Sequence, residues 1–390
     1  MTRPVVNVHS RGELTKHSKT LVGIIGRSET GVGDALGDQR GWCVGRTGRQ
    51  EGARVLLWDV SANIRRDPHV LKRISALVIA GLTAMSVTAC GGGGGGGGGS
   101  ITMGFSQVGA ESGWRTANTK SVQDSAGTAG ITLKFSDAQQ KQENQIKAIR
   151  SYIQQKVDII AFSPVVESGW DTVLKEAKDA KIPVILTDRA VDSKDTTLYK
   201  TFLGSDFVEE GKKAGQWLVN EYKDTKDPVN IVELQGTTGS APANDRKAGF
   251  QEVIGADPKF KIIASQTGDF TRAKGKEVME AFLKSNPDID VLYAHNDDMG
   301  LGAIEAIEGA GKVPGKDIKI ITVDAVKDGM QALSDGKINF IVECSPLLGP
   351  QLMDLAKKVV KGEQVPARVV TQETTFTQEQ AKQVLSSRQY

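Results

Sequence analysis

From residue 101 onward, short runs of apolar residues alternate with longer stretches whose apolar positions recur at helical spacing. The runs predict buried strands at 101–106, 131–135, 158–163, 183–187, 198–203, 230–234, 261–266, 291–294, 319–323 and 340–343. The stretches between them predict helices that include 139–155, 170–180, 207–222, 245–254, 272–284 and 299–309. Gly309 and Gly311, followed by Pro314, form a stop signal for the last of these. Strands that alternate with helices imply parallel sheets covered on both faces, an α/β fold. This length fits two Rossmann-like lobes better than one wide sheet. Two lobes enclose a cleft, and in such sheets ligands sit beyond the carboxyl ends of the strands.

The first hundred residues follow a different pattern. Lys72 and Arg73 precede an apolar stretch at 74–85, which is too short to span a bilayer, since spanning takes about 20 residues. A basic segment, a short apolar core and small residues together describe a secretory signal. Val87-Thr-Ala-Cys90 resembles the lipobox of bacterial lipoproteins, which implies that Cys90 is lipidated and becomes the mature N-terminus. Nine glycines and Ser100 follow as a flexible tether. Residues 1–69 are rich in Gly and Arg and lack a sustained period. The glycines around residues 21–33 miss the dinucleotide-binding spacing, and no βαβ unit follows them. The expected organisation is therefore a leader at 1–69 outside the functional protein, which points to a translation start downstream of Met1. A signal peptide follows at 70–89, then the lipidated cysteine and linker at 90–100.

Charge separates the same two parts. Residues 1–89 hold 13 basic and 7 acidic side chains, whereas the remainder holds 36 and 40. A mildly acidic body carries no electrostatic footprint for nucleic acid. Cys43, Cys90 and Cys344 are too few and too scattered for a disulfide framework or a zinc site, and no cofactor or metal is expected.

The residues that follow each predicted strand are polar. After the first come Glu111, Trp114 and Arg115; after the third, Ser163; after the fourth, Asp188 and Arg189. Arg246 and Phe270 follow the strands at 230–234 and 261–266, and Asn296, Asp324 and Glu343 follow or end the last three. Carboxylates accept from sugar hydroxyls, guanidinium groups donate in a fixed fork, and an amide does both. Trp114 and Phe270 offer flat faces for the C–H side of a ring. Near-balanced charge fits a neutral polyol better than an anion or a cation. The bland alternatives apply elsewhere. Trp170 and Trp217 lie on helical faces and read as core, Gln235 as a turn residue, and the run from His295 to Asp298 lacks partners for a zinc site. Asp297 and Asp298 are expected to serve the N-terminus of their own helix.

Long segments of the body resemble the periplasmic solute-binding proteins of the ribose/galactose type that serve ABC importers, and most closely their galactofuranose-binding branch. They include Gly104-Phe-Ser-Gln-Val-Gly-Ala-Glu111-Ser-Gly-Trp-Arg115, Gln139-Gln-Lys-Gln-Glu-Asn-Gln145, Ser265-Gln-Thr-Gly-Asp-Phe270-Thr-Arg272 and Tyr293-Ala-His-Asn-Asp-Asp-Met299. The resemblance covers nearly all of 101–390 and none of 1–69. It implies a type I fold of two lobes joined by three crossings, with one lobe at 101–203 plus 344–373 and the other at 204–343 plus 374–390. It further implies ligand capture between the lobes by Glu111, Trp114, Arg115, Ser163, Asp188, Arg189, Arg246, Phe270, Asn296, Asp324 and Glu343. The implied protein is a monomeric, extracytoplasmic lipoprotein, anchored to the cell membrane by lipid alone, that captures an aldose such as galactofuranose and delivers it to ABC permease subunits. Galactose, arabinose and xylose remain open as ligands. A sugar-sensing protein would need the same site. A transcription regulator of the same fold would carry a helix-turn-helix that residues 1–100 lack. A glycosidase would need one cleft carboxyl held as an acid, which neighbouring arginines oppose, so no enzyme activity is expected.

Overall fold

The computed structural model describes residues 100–390. The first half of the chain runs β1 (Thr102–Gln107), α1 (Gly113–Ala129), β2 (Thr132–Asp137), α2 (Gln142–Gln154), β3 (Ile159–Phe162), α3 (Asp171–Asp179), β4 (Val184–Thr187) and β5 (Thr201–Gly204). The next stretch repeats the scheme. It runs α4 (Phe207–Glu221), β6 (Val229–Gln235), α5 (Ala241–Ile254), β7 (Phe260–Thr267), α6 (Arg272–Ser285), β8 (Val291–Ala294), α7 (Asp297–Gly309), β9 (Lys319–Asp324), α8 (Lys327–Ser334) and β10 (Phe340–Glu343). The chain then returns through α9 (Gly349–Val360) and β11 (Arg368–Val370), crosses once more to β12 (Thr375–Phe376) and ends with α10 (Gln378–Val384).

Two six-stranded sheets result, ordered β11-β5-β4-β3-β1-β2 and β12-β10-β9-β8-β6-β7. All pairings are parallel except the antiparallel pairing of β10 with β12. The central strands are buried along their length, as in β3 and β4, because helices cover both faces. β7, at an edge, alternates between exposed and covered positions. In each sheet the strand order reverses beside the first strand of its half, next to β1 and next to β6. Loops that leave these strands in opposite directions open a crevice at the carboxyl ends.

α1 is absent from the helices that the apolar pattern predicts, and its inner face explains why. Trp114, Arg115, Asn118, Val122 and Ala126 are its buried residues, so two of the five are polar. Asn118 is held at both ends: Gln107 Nε2 donates to its Oδ1 (3.0 Å), and its Nδ2 donates to the Pro346 carbonyl (3.0 Å). Ser112 caps the start, and Gly130, at φ 70°, closes the end.

α4 and α5 cross closely at Gly211, where a Cβ would lie 2.2 Å from the Arg246 carbonyl oxygen. That contact requires glycine, and it brings Glu210 of α4 against Arg246 of α5.

Candidate ligand-binding site

The carboxyl ends of both sheets face one another across a cavity that holds about 280 Å³ of space not filled by protein atoms. Glu111, Ser112, Trp114 and Arg115 reach it from the β1–α1 loop and the first turn of α1, and Asp188 and Arg189 from the end of β4. The opposite wall comprises Pro242 and Arg246 of α5, Phe270, Asn296, Asp324 at the end of β9, and Cys344. Nine of the eleven residues expected at the site from sequence line this cavity. Every one of these nine sits at a strand end, in the loop that leaves it or in the helix that follows, where parallel topology directs them to one edge.

Two charge networks make up the walls. Arg115 pairs with Asp188 through Nη2 (2.6 Å) and with Glu111 through Nε (3.1 Å), and its Nη1 also donates to Gln107 Oε1 (3.2 Å). Arg189 lies 3.6 Å from Glu111 and donates from Nη1 to the Val165 carbonyl (3.1 Å). Across the cleft, Arg246 Nε donates to Glu210 Oε2 (2.7 Å), Nη1 donates to the His295 carbonyl (2.6 Å), and Nη2 lies 3.8 Å from Asp324.

Burial lowers the pKa of every guanidinium here, and the neighbours decide the outcome. Asp188 and Glu111 outweigh burial at Arg115 and raise it. Arg189 falls to about 10, because burial and the adjacent Arg115 outweigh its acids. Glu210, Cys344 and Asp324 hold Arg246 above the usual range against burial. Burial drives the Asp324 carboxyl well above the usual range; Arg246 opposes this, while Asp297 and Glu210 add to it.

Three lining residues occupy the left-handed backbone region: Asp188 (φ 63°), Phe270 (φ 61°) and Asp324 (φ 123°). Such conformations cost about 1–3 kcal/mol each and persist where surrounding structure enforces them. Phe270 is held over Gly236, where a Cβ would lie 1.9 Å from the ring, and Asn296 Nδ2 donates to its carbonyl (3.1 Å). Arg189 and Arg246 lie against the Phe270 ring, 5.3 and 6.0 Å from its centroid.

Two expected site residues lie elsewhere. Ser163 sits behind the wall, where its hydroxyl donates to Asp188 (2.9 Å) and accepts from Arg115 Nη1 (3.3 Å). Glu343 points away from the cavity. It pairs with Arg388 (2.8 Å) and accepts from the Tyr390 hydroxyl (3.2 Å). Side chains alternate along a strand, so its neighbour Cys344 takes the cavity side instead.

Asp297 and Asp298 stand in the first turn of α7 as expected, but their carboxylates bond groups outside that helix. Asn296 caps α7 through Met299 N (3.0 Å), Asp297 binds Val326 N (2.8 Å), and Asp298 accepts Gly113 N (2.8 Å) from the opposite lobe. The last contact caps α1 across the cleft. Glu167 N reaches the Gly239 carbonyl (2.9 Å), and Asn244 reaches the Glu167 carboxylate (2.6 Å). These contacts define a closed arrangement of the lobes.

Sequence patterning also missed Glu210. It lies a turn into α4 rather than at a strand end, and the only signal for it was the need of Arg246 for a buried counter-anion. His295 packs as core: its ring bonds Glu233 (3.1 Å) with both side chains fully buried. Trp170 packs against Phe162 and Trp217 against Phe340.

The periplasmic binding protein domain matches residues 103–364. The chain belongs to the periplasmic binding protein family. It is 48% identical over 319 residues to the galactofuranose-binding protein YtfQ of Escherichia coli K12, an alignment that covers 81% of this chain and 96% of the relative. A crystal structure from Mycobacterium smegmatis in complex with β-D-fucofuranose shares 67% identity at a TM-score of 0.74, covering 75% of this chain and 96% of the other. The binding-protein component of the Shewanella sp. ANA-3 arabinose ABC transporter, bound to α- and β-L-arabinofuranose, shares 51% identity at a TM-score of 0.71, with coverage of 74% and 96%. Such relatives are solute-binding proteins rather than enzymes, and so is this binding protein.

Proposed function

We propose that this binding protein captures one aldose, in furanose form, between its closed lobes and delivers it to an ABC permease. The observation that carries this reading is a pair of buried polar atoms in the cavity wall. Glu111 Oε2 and Arg189 Nε have no hydrogen-bond partner within the protein. Buried polar atoms ordinarily find partners, and here one accepts while the other donates. A sugar hydroxyl does both, so adjacent hydroxyls answer an acceptor and a donor together. Arg115, Arg189 and Arg246 face Glu111, Asp188, Asp324 and Glu210, a near-balance that suits an uncharged ligand. The sugars named for the Mycobacterium, Shewanella and Escherichia proteins are all furanoses, which supports that ring form here.

Family membership implies an extracytoplasmic location. We further propose that the mature chain is a monomer that begins at Cys90, held to the membrane by lipid, with the glycines as tether. Cys90, the signal segment and the leader lie outside the described residues.

The test is a thermal-shift screen of the full chain against D-galactose, D-fucose, L-arabinose, D-ribose and D-fructose. A sugar present at 100 times its Kd stabilises the native state by about 2.7 kcal/mol, which raises the melting temperature. A rise with one or more of the first three is expected. No rise with any of the five would sink the reading.

The raised Asp324 carboxyl makes a separate prediction. If its ionised form accepts a sugar hydroxyl, affinity is full above its folded-state pKa and declines as pH falls through it. Burial places that decline above the ordinary carboxylate range. Calorimetric titrations carried from alkaline pH down to the ordinary carboxylate range are expected to show weakening that Asp324→Asn removes. An affinity that stays flat over that range in the wild type would exclude the acceptor role.

A further inference from the structure

The chain passes between the lobes three times: at Ser205–Asp206 after β5, between Cys344 and Leu348 after β10, and between Thr371 and Thr374 after β11. One carboxylate oxygen joins all three passages. Glu373 Oε1, on the third, accepts from the Ser205 hydroxyl on the first (2.6 Å), from the Ser345 backbone N–H on the second (3.0 Å) and from the Thr371 hydroxyl beside it (2.8 Å). Ser205 Oγ also lies 3.3 Å from Cys344 Sγ. Backbone bonds reinforce the junction, from Thr371 N to the Gly204 carbonyl (3.2 Å) and from Glu343 N to the Thr374 carbonyl (2.9 Å).

We propose that Glu373 is a positioning residue for ligand capture, a clamp across the three hinge segments that favours the closed arrangement of the lobes. The inference rests on the sugar-capture reading, although Glu373 does not line the cavity. Hinge segments are where backbone torsions change when lobes separate. Donors on three separate segments converge on one oxygen only while those segments keep their present relative positions. The closed state therefore holds charge-assisted hydrogen bonds that separation of the segments would break. Ligating-type atoms of Glu373, Cys344 and Glu210 all lie within 4.8 Å of one another, and Glu210 holds Arg246. The clamp thus abuts the cavity wall, so the hinge and the arginine are fixed by contiguous packing.

A protein that must close to bind loses apparent affinity in proportion to the loss of its closed population. Glu373→Ala is expected to weaken D-fucose binding about tenfold, mostly through faster release, because the groups that line the cavity are unchanged. Glu373→Gln keeps an acceptor oxygen and is expected to lose less. Ser205→Ala combined with Glu373→Ala is expected to cost less than the sum of the two alone. Label pairs on the two lobes report the closed fraction directly, with and without sugar, and that fraction is expected to fall in Glu373→Ala. A purely structural role predicts instead a lower melting temperature for the sugar-free chain, with an unchanged Kd and an unchanged interlobe distance distribution; that result overturns the proposal. If the Ala variant does not fold, the Gln and Ser205→Ala variants decide by the same readouts. If the wild type fails to bind D-fucose, it is the capture reading for this sugar that fails. The sugar-free distance distributions then decide the clamp, a shift supporting it and none overturning it.

Discussion

Asp188→Ala is expected to abolish sugar binding and to destabilise the protein by about 3–5 kcal/mol, the usual cost of removing one partner from a buried ion pair. One carboxylate oxygen of Asp188 lies 2.6 Å from Arg115 and 2.9 Å from the Ser163 hydroxyl, and Arg189 Nε stands 3.8 Å away. Without it, two buried guanidinium groups face each other with Glu111 as the remaining acid in their network. Their repulsion then moves both away from the positions they hold in the cavity wall. Asp188→Asn keeps the shape but removes the charge, and it is expected to retain more stability than affinity. Denaturant unfolding and calorimetry together check this. Affinity unchanged in Asp188→Ala would remove the residue from the site.

The second large effect belongs to Arg246. Arg246→Ala removes the donor that links Glu210, the His295 carbonyl and Asp324, so sugar affinity is expected to fall by at least about a hundredfold, roughly 2.7 kcal/mol. Arg246→Lys is not expected to rescue it, since a point charge on a flexible stem cannot span three acceptors in fixed directions. Stability acquires a diagnostic pH dependence. Burial already pushes the Glu210 carboxyl up to about 8 against the pull of Arg246, and removing the guanidinium pushes it higher. An acid whose folded-state pKa is raised favours folding at low pH and loses that stability as pH rises through the folded value. The variant is therefore expected to melt at a higher temperature near pH 6 than near pH 8. A melting temperature that rises instead with pH over that interval would show that Glu210 does not depend on Arg246.

Much of the cavity was legible because parallel topology is a strong constraint. Asp188, Asn296 and Asp324 follow or end short apolar runs, and a parallel sheet delivers such positions to one edge wherever its neighbours lie. The failures share a cause as well. Glu343 and Cys344 are adjacent, and sequence could not say which of them faces the cleft. Parity along β10 is fixed by its pairing with β9 and β12 and by the carboxyl-terminal Arg388 and Tyr390 that receive Glu343. Asp298 was assigned to its own helix because a local cap is the default for an acid in a first turn. In the folded protein its acceptor is used by Gly113, 185 residues away in sequence. α1 escaped notice because Arg115 and Asn118 interrupt its apolar stripe.

By itself the sequence determined the α/β alternation, the strand-end chemistry and the separate character of the first hundred residues, because each is written in local periodicity or local composition. Only the tertiary structure decided that Ser163 supports the wall rather than forming it, that Glu210 anchors Arg246, and that Glu373 gathers three hinge segments. Those facts depend on distances between residues far apart in the chain. Such distances are set by how closely helices such as α4 and α5 approach and by which way each side chain points.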